Sequence, residues 1–335
     1  MATLSATMPT LLDVAKRIDP DGKAAKIAEM LSQDNEVLDD MPWFEGNLST
    51  GHRVTVRTGL PTAAWRKLNQ GVPRSKSTTA QIDEATAMLE GWSDVDKDLA
   101  ELNGLESSFR LSEASAFIES MNQKMASTLF YGNSVTEPES FLGLAPRFDD
   151  VPTTVGGAEN KDNVIDAGGT GTDNTSIWLI GWGPSTIHGI YPKASQAGLQ
   201  HEDLGLDTVL DASGNPYRAY RDHYQWKCGI AVRDWRYVVR IANIDVSDLT
   251  GDAATGAKII RLMTRALERI QSLNGVRPAF YMNRTVRSIL RQQQVEAVKN
   301  STLTVEELYG KRVLMASEVP VRRTDAIVNN EARVV

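Results

Sequence analysis

The chain of 335 residues is 41% hydrophobic and 24% charged, with a formal net charge of −7 and a pI of about 5.3. These values fit an ordinary globular protein that can bury a large core and hold two or more domains. They argue against a protein whose main work is to grip phosphate backbones, which needs a basic surface, but not against passive contact of a local patch with nucleic acid.

Cysteine content and hydropathy indicate the cellular compartment in which the chain is expected. The single cysteine, Cys228, excludes an intrachain disulfide and is typical of a chain made for a reducing compartment. The amino terminus lacks the pattern of a secretory signal, and no window approaches roughly eighteen consecutive apolar residues. We therefore expect neither secretion nor a membrane partner.

Short apolar stripes near the amino terminus predict two helices, over residues 10–18 and 24–31, separated by a turn at Pro20 and Gly22. Neither helix is long enough to be stable alone. The pair therefore either docks on the core of its own subunit or lies as an arm on a neighbouring subunit.

An extended hairpin is predicted next. Gly51–Gly59 alternates apolar and polar side chains, and residues 80–89 form a second extended run after a polar connection. Two such strands make a poor core, so we expect the hairpin to reach into solvent and rest on another surface. Local packing and subunit contact are the two competing roles for its aromatic residue, since aromatic and Arg side chains anchor interfaces. The candidate contact residues are Arg53, Arg57, Trp65, Arg66, Lys67, Arg74 and Lys76.

The middle of the chain is predicted to combine one long helix with loops and buried strands. The helix begins at the N-cap residue Ser112, continues to Tyr131 with apolar residues three and four apart, and ends at Gly132. Loop composition is found in two stretches, and buried strands are predicted in two others. The loops are residues 133–176 and 193–216, and the strands are residues 177–183 and 186–192.

Residues 224–245 alternate apolar and other side chains along their length and change phase once, after Arg233 and Asp234. Because one extra residue moves every later side chain to the opposite face, the change predicts either a tight hairpin or a β-bulge. Beyond this stretch we predict a helix over residues 255–273, a strand over 277–283 and a helix capped by Asn283. Two short strands around Pro320 and a ragged end complete the chain.

No segment has the residues of a catalytic, cofactor or metal site. The Gly-rich residues 168–176 lack the glycine register of a dinucleotide fingerprint and the Lys-Ser/Thr pair of a phosphate loop. None of the four histidines lies at metal-ligand spacing from another. Cys228 falls on the apolar face of a strand, where a small buried hydrophobe is the expected role. We predict no enzyme activity, no cofactor and no metal.

Three segments carry a family resemblance: GIAVRDWRYVVRIANID (residues 229–245), RPAFYMNRTVRSIL (277–290) and SEVPVRRTDAIVNNE (317–331). Together with the order of elements, they resemble the major capsid proteins of tailed bacteriophages, which have the Hong Kong 97 phage-type capsid fold. Within that family the chain looks close to the shell proteins of epsilon-fifteen-type short-tailed phages.

The resemblance implies an α+β fold in five parts. They are an amino-terminal arm (1–44), an extended β-hairpin loop (45–92), a peripheral domain (93–145) with a spine helix at 112–131, an axial α/β domain (146–310), and closing strands (311–335) that return to the peripheral domain. The spine helix is the long helix described above.

The resemblance also implies a function and partners. The chain would self-assemble into pentamers and hexamers of an icosahedral head that encloses double-stranded DNA, in the virion after assembly in the host bacterial cytoplasm. A scaffolding protein, a portal and a small decoration protein are the implied partners, and the packaged DNA would be contacted non-specifically. Some relatives form Lys–Asn crosslinks with the help of a buried Glu. That triad cannot be matched here, so we expect non-covalent linkage.

Two rival interpretations stay open at this point. A soluble α/β enzyme would place a metal or phosphate site in the Gly/Asp-rich middle region, although the required motifs are missing there. A binding module of one or a few copies would leave the long polar hairpin unexplained.

Overall fold

In the computed structural model, the described residues are 9, 32–102, 106–152, 159–211, 213–251, 258–296, 303–308 and 311–335. Their helices are α1 (Glu36–Asp40), α2 (Lys97–Ala100), α3 (Glu106–Tyr131), α4 (Val246–Gly251), α5 (Ile259–Leu267) and α6 (Arg284–Glu296). Their strands are β1 (Trp43–Glu45), β2 (Gly51–Gly59), β3 (Thr78–Ala85), β4 (Ala87–Asp96), β5 (Val164–Asp166), β6 (Asn174–Trp182), β7 (Ile187–Tyr191), β8 (Leu199–Leu210), β9 (Pro216–Val232), β10 (Val238–Asp245), β11 (Arg277–Met282), β12 (Leu303–Leu308), β13 (Lys311–Ala316) and β14 (Val319–Arg323). The helices predicted over residues 10–18 and 24–31 lie outside the described residues.

A strand that is buried on both faces lies at the centre of the fold. Every residue of β6 is buried, and β10 and β11 flank it in antiparallel pairing. Side chains alternate along the strand, so Trp178, Ile180 and Trp182 enter one core while Ile177 and Leu179 enter the other. The sheet continues through β5 beside β10, and through β14, β13 and β12 beyond β11.

Helices cover both faces of this sheet. The first core includes the carboxyl-terminal half of α3, with Met125, Leu129 and Phe130. The second core includes α5 and α6, which contribute Met263 and Leu290 among others. The α+β class expected from the sequence is confirmed, and so are the strands at 177–183, 186–192 and 277–283. The predicted hairpin is also present, but its second strand ends at Ala85, and residues 87–89 of the predicted run begin β4, which pairs with β9.

The longest strand, β9, connects the central sheet to a second group of strands. Its last residues pair with β7, and its earlier residues are flanked by β4 and β8, all antiparallel. Helix α3 packs on this group, where Phe117 stacks on Tyr224 with 5.6 Å between ring centroids. A Cβ atom at Gly91 of β4 would lie 3.1 Å from the Phe117 ring, so the missing side chain permits the close approach.

Neither geometry expected at the phase change occurs. Strand β9 ends at Val232 and β10 begins at Val238, with the short turn Trp235–Tyr237 between them. The Asp234 carboxylate caps this turn by accepting the Arg236 N–H. The two strands do not pair with each other, since β9 pairs with β4, β7 and β8, and β10 with β5 and β6. The phase change marks a crossover between the two strand groups.

The spine helix is longer than predicted. It begins at Glu106, so Ser112 is an interior residue, and its carbonyl oxygen accepts the Ser115 hydroxyl. Phe109, in the added turn, is buried beside Val95 of β4. Tertiary packing therefore extends the helix past a residue type that favours an N-cap.

Other boundaries also differ from the predictions. Residues 193–216, predicted to be a loop, contain β8, whose mostly exposed polar side chains hide the strand from a hydrophobicity pattern. Helix α5 ends at Leu267 instead of residue 273, and Glu268 is its C-cap residue. Asn283 does cap α6, as predicted, by accepting the Thr285 N–H at 2.9 Å.

The carboxyl-terminal residues are packed rather than ragged. Glu331 and Arg240 form an ion pair of 2.8 Å whose side chains are 3% and 4% exposed. Glu331 also accepts the hydroxyls of Tyr131 and Ser176. Arg240 donates to the Phe148 carbonyl at 2.8 Å, and its guanidinium lies 5.1 Å from the Trp178 ring centroid. The network joins α3, β6 and β10 to the end of the chain.

We expect Glu331→Ala to destabilise the subunit by about 3–5 kcal/mol, because Arg240 would remain buried and unpaired. Urea unfolding of unassembled subunits measures this change. The double variant Arg240→Met, Glu331→Leu should lose less than the sum of the two single changes, since the second substitution removes the charge left unpaired by the first. Asp83→Ala, which breaks an exposed pair with Arg53, is the control and should change little.

Candidate assembly interface

The predicted hairpin consists of β2 and β3, which pair only with each other along their length. Pairing runs antiparallel from Gly51 with Ala85 to Gly59 with Thr78, with an irregularity near the far end. The two strands form a separate two-stranded sheet. A lone ribbon of this kind is marginal in water, so it needs support from another surface.

Residues 60–77, the connection between β2 and β3, are exposed throughout. They include apolar side chains that a soluble monomer would gain by burying: Leu60 is 80% exposed, Leu68 is 94% exposed and Trp65 is fully exposed. Internal hydrogen bonds shape the segment, including Ser75 Oγ to the Thr62 carbonyl at 2.8 Å. The ordered connection thus presents apolar groups to the outside, which is typical of an interaction surface.

The root of the hairpin is attached firmly to the body. Arg147 donates to both carboxylate oxygens of Glu84 at 2.7 and 2.6 Å, and also to the carbonyls of Leu142 and Gly143. The Glu84 side chain is 5% exposed. A two-point pair of this kind fixes orientation as well as distance. It therefore sets the direction in which the hairpin leaves the subunit.

The structure brings the predicted contact residues to one hairpin but pairs few of them. Arg53 binds Asp83 across the ribbon at 2.6 Å, and Arg66 donates to the Gln70 carbonyl at 3.1 Å. Within the described residues the remaining cations make no ion pair and are exposed, which leaves them available to another molecule. They are Arg57, Lys67, Arg74 and Lys76.

Sequence reasoning missed several residues of this surface. Periodicity does not identify Leu60 and Leu68, because they are isolated apolar residues in a polar stretch. Their occurrence in an otherwise polar connection is the signal that could have identified them. Glu84 and Arg147 are far apart in sequence, and their pairing depends on the fold.

Two neutral histidines lie beside the hairpin root. His188 of β7 is 2% exposed and lies edge-on to Phe44, with 5.0 Å between ring centroids, and 6.0 Å from His52 of β2. Burial lowers the pKa of His188 to about 4, and the positive charge of Arg233 adds to this effect. Burial and Arg233 also lower the pKa of His52, whose Nδ1 accepts the Asn47 N–H. Protonation of His188 would place a charge in a packed aromatic site.

The described residues hold neither a cluster of metal ligands nor an exposed thiol. No group of three or more His, Cys, Asp or Glu side chains among them could hold a metal ion. Burial raises the pKa of the Cys228 thiol to about 12, and its sulfur lies 3.3 Å from that of Met125. The described helices include none long and apolar enough to cross a membrane.

Comparisons with known proteins agree with this geometry. A family model described as major capsid protein GP7 matches residues 19–335. A chain in the near-atomic structure of bacteriophage epsilon15 is 35% identical, with a TM-score of 0.78 over 100% of this chain and 99% of that one. A chain of the bacteriophage JBD30 capsid is 10% identical, with a TM-score of 0.51 over 89% and 92% of the two chains, and supports the fold alone. No curated protein matches by sequence.

The fold and its outward-reaching hairpin therefore define a structural protein of a tailed-phage head, with the Hong Kong 97 phage-type capsid fold. The enzyme interpretation has no support in the family or structural comparisons. Because the family model covers most of its length, the chain belongs to the major capsid protein GP7 family, and its place is the capsid of the virion. The resemblance to the epsilon-fifteen type is confirmed.

The low pKa of His188 predicts a loss of stability in acid. The unfolded chain takes up a proton near pH 6.5, whereas the folded chain does so only near pH 4, so stability falls as the pH drops through this window. Between pH 6.5 and 4.5 we expect His188→Gln to remove about 2 kcal/mol of the acid-induced loss. Urea unfolding of unassembled subunits at the two pH values measures it.

Proposed function

We propose that many copies of the chain assemble into pentamers and hexamers of an icosahedral shell that encloses double-stranded DNA. The observation that carries this proposal is the exposed connection of the hairpin, with Trp65 and Leu68 uncovered in the isolated subunit. Apolar side chains on an ordered, basic projection are useful only where another surface covers them. Family membership supports a neighbouring subunit as that surface.

The finer assignments belong to the same proposal. The arm (1–44), extended loop (45–92), peripheral domain (93–145), axial domain (146–310) and closing strands (311–335) are the parts that would occupy distinct places in the shell. Assembly would occur in the host bacterial cytoplasm with a scaffolding protein and a portal, and a small decoration protein would bind afterwards. Contact with the packaged DNA would be non-specific, and the net charge of −7 would keep it weak.

The proposed mechanism of assembly is geometric. The two packed cores keep the body of each subunit nearly rigid, while the two-stranded hairpin bends to suit non-identical neighbours. The Glu84–Arg147 pair at its root limits how far its direction can change. Contacts from the exposed cations to acidic groups next door set the register and the rate of association more than the affinity.

Reversing the hairpin charges tests this mechanism. In Arg57→Glu, Arg66→Glu, Lys67→Glu we expect a folded subunit with normal thermal unfolding but few or no particles in electron micrographs, because attraction becomes repulsion. The control for net charge is Lys258→Glu, Arg261→Glu, Arg265→Glu, which reverses three exposed cations in and beside helix α5. Normal particles from the hairpin variant would contradict the role of these charges.

Non-covalent linkage gives a second prediction. Assembled particles boiled in detergent should run as a single band near 36.8 kDa, because no Lys–Asn–Glu triad can be matched in the chain. A ladder of multiples that survives reduction would show covalent crosslinking and overturn this part of the proposal.

A further inference from the structure

An apolar cavity opens at the root of the hairpin. It has a volume of about 420 Å³ and is lined by Met88 and Leu89 of β4, Met125 of α3, Phe141 and Cys228 of β9. This volume falls within the range of roughly 300–1,000 Å³ that is usual for sites that enclose a bulky organic group. Met88 is 65% exposed although it belongs to this apolar lining.

Besides Lys124, the polar rim of the cavity carries two acidic side chains, Glu137 and Glu139. Both are exposed, and neither forms an ion pair within the described residues. The far end of the hairpin carries the complementary groups. Trp65 is an exposed apolar side chain, and the basic residues Arg66 and Lys67 follow it directly. The apolar cavity, with one more acidic than basic side chain at its rim, therefore complements the apolar Trp65 and its two basic neighbours.

The hairpin of one subunit cannot place its own tip in its own cavity. Strand β3 ends at Ala85 and the cavity lining begins at Ala87, so the cavity lies at the root. The paired strands then run from Gly51 to Gly59, which at roughly 3.3 Å per residue separates the tip from the root by about 26 Å. A ribbon paired along that length does not fold back on itself. Only a second copy can supply the tip.

We propose that this cavity receives the Trp65 indole of a neighbouring copy, with Arg66 and Lys67 of that copy against Glu137 and Glu139. This inference rests on the proposed assembly function and names the docking site for it. Aromatic anchors in apolar pockets, surrounded by polar pairs, are the usual form of an energetically dominant contact. Because the two matching surfaces lie at opposite ends of one element, the contact is head-to-tail, and repeating it closes a ring when the rotation between copies fits.

Cysteine pairs across the rim test the contact while leaving Trp65 in place. In assembled particles of Lys67→Cys, Glu139→Cys we expect a short bismaleimide crosslinker to give linked multimers of the subunit on reducing gels. The two positions would face each other across the length of a Lys–Glu ion pair, which is longer than a direct disulfide permits. Unassembled subunits should stay monomeric. The matched control is Lys67→Cys, Leu210→Cys, whose second site is an exposed residue at the end of β8. Both variants carry Cys228→Ala, because Cys228 lines the same cavity.

Normal particles that crosslink in neither variant, or equally in both, would overturn the docking site while leaving the shell function intact. Failure of the unaltered chain to form particles would instead count against the proposed function. If the cysteine variants do not assemble, Trp65 substitutions decide the question. Trp65→Ala should raise the critical concentration for assembly tenfold or more, and Trp65→Phe only a few-fold, since the ring fills the same cavity. Equal effects of the two substitutions would contradict the proposal.

Discussion

The buried pair of Arg240 and Glu331 is the constraint on which the body of the subunit depends. Removing two charges from water costs several kcal/mol per ion, and only a complete set of partners offsets that cost. The partners come from distant parts of the chain: Tyr131 ends the spine helix, Phe148 follows it, and Ser176 lies on the central strand. The last residues must therefore be in place before the middle of the sheet is satisfied. Burial next to Glu331 also raises the pKa of Tyr131, which keeps its hydroxyl a donor.

The hairpin has the opposite character. It is attached at its root by the Glu84–Arg147 pair and has no core of its own beyond that point. The two parts have complementary roles. The body is rigid, whereas the hairpin has a fixed origin and little internal stability. The body preserves its shape in each environment of a shell, and the ribbon absorbs the differences between environments. The body, which keeps its conformation, is thus structurally separate from the hairpin, which changes its conformation.

Local sequence patterns predict much of the fold. Alternation identified β2 and the strands around Trp178 and Ile190, and Asn283 marked the start of α6. What it could not supply depended on distant partners. Strand β8 is polar because both its faces are largely exposed, so no alternation shows, and α3 extends beyond Ser112 because Phe109 finds a core in β4. The alternation pattern shows the phase change after β9. A crossover between sheets and a hairpin produce the same change of phase, so the sequence alone does not distinguish them.

The distribution of charge explains how copies with a net charge of −7 can associate at all. The connection at residues 60–77 holds four basic residues and no acidic one, so the rest of each chain carries −11. Bodies of like sign repel, whereas the tip of one hairpin is attracted to any acidic surface on another body. Charge therefore guides the tip to its neighbour, and the desolvation of apolar side chains at the point of contact supplies the affinity that charge in water cannot.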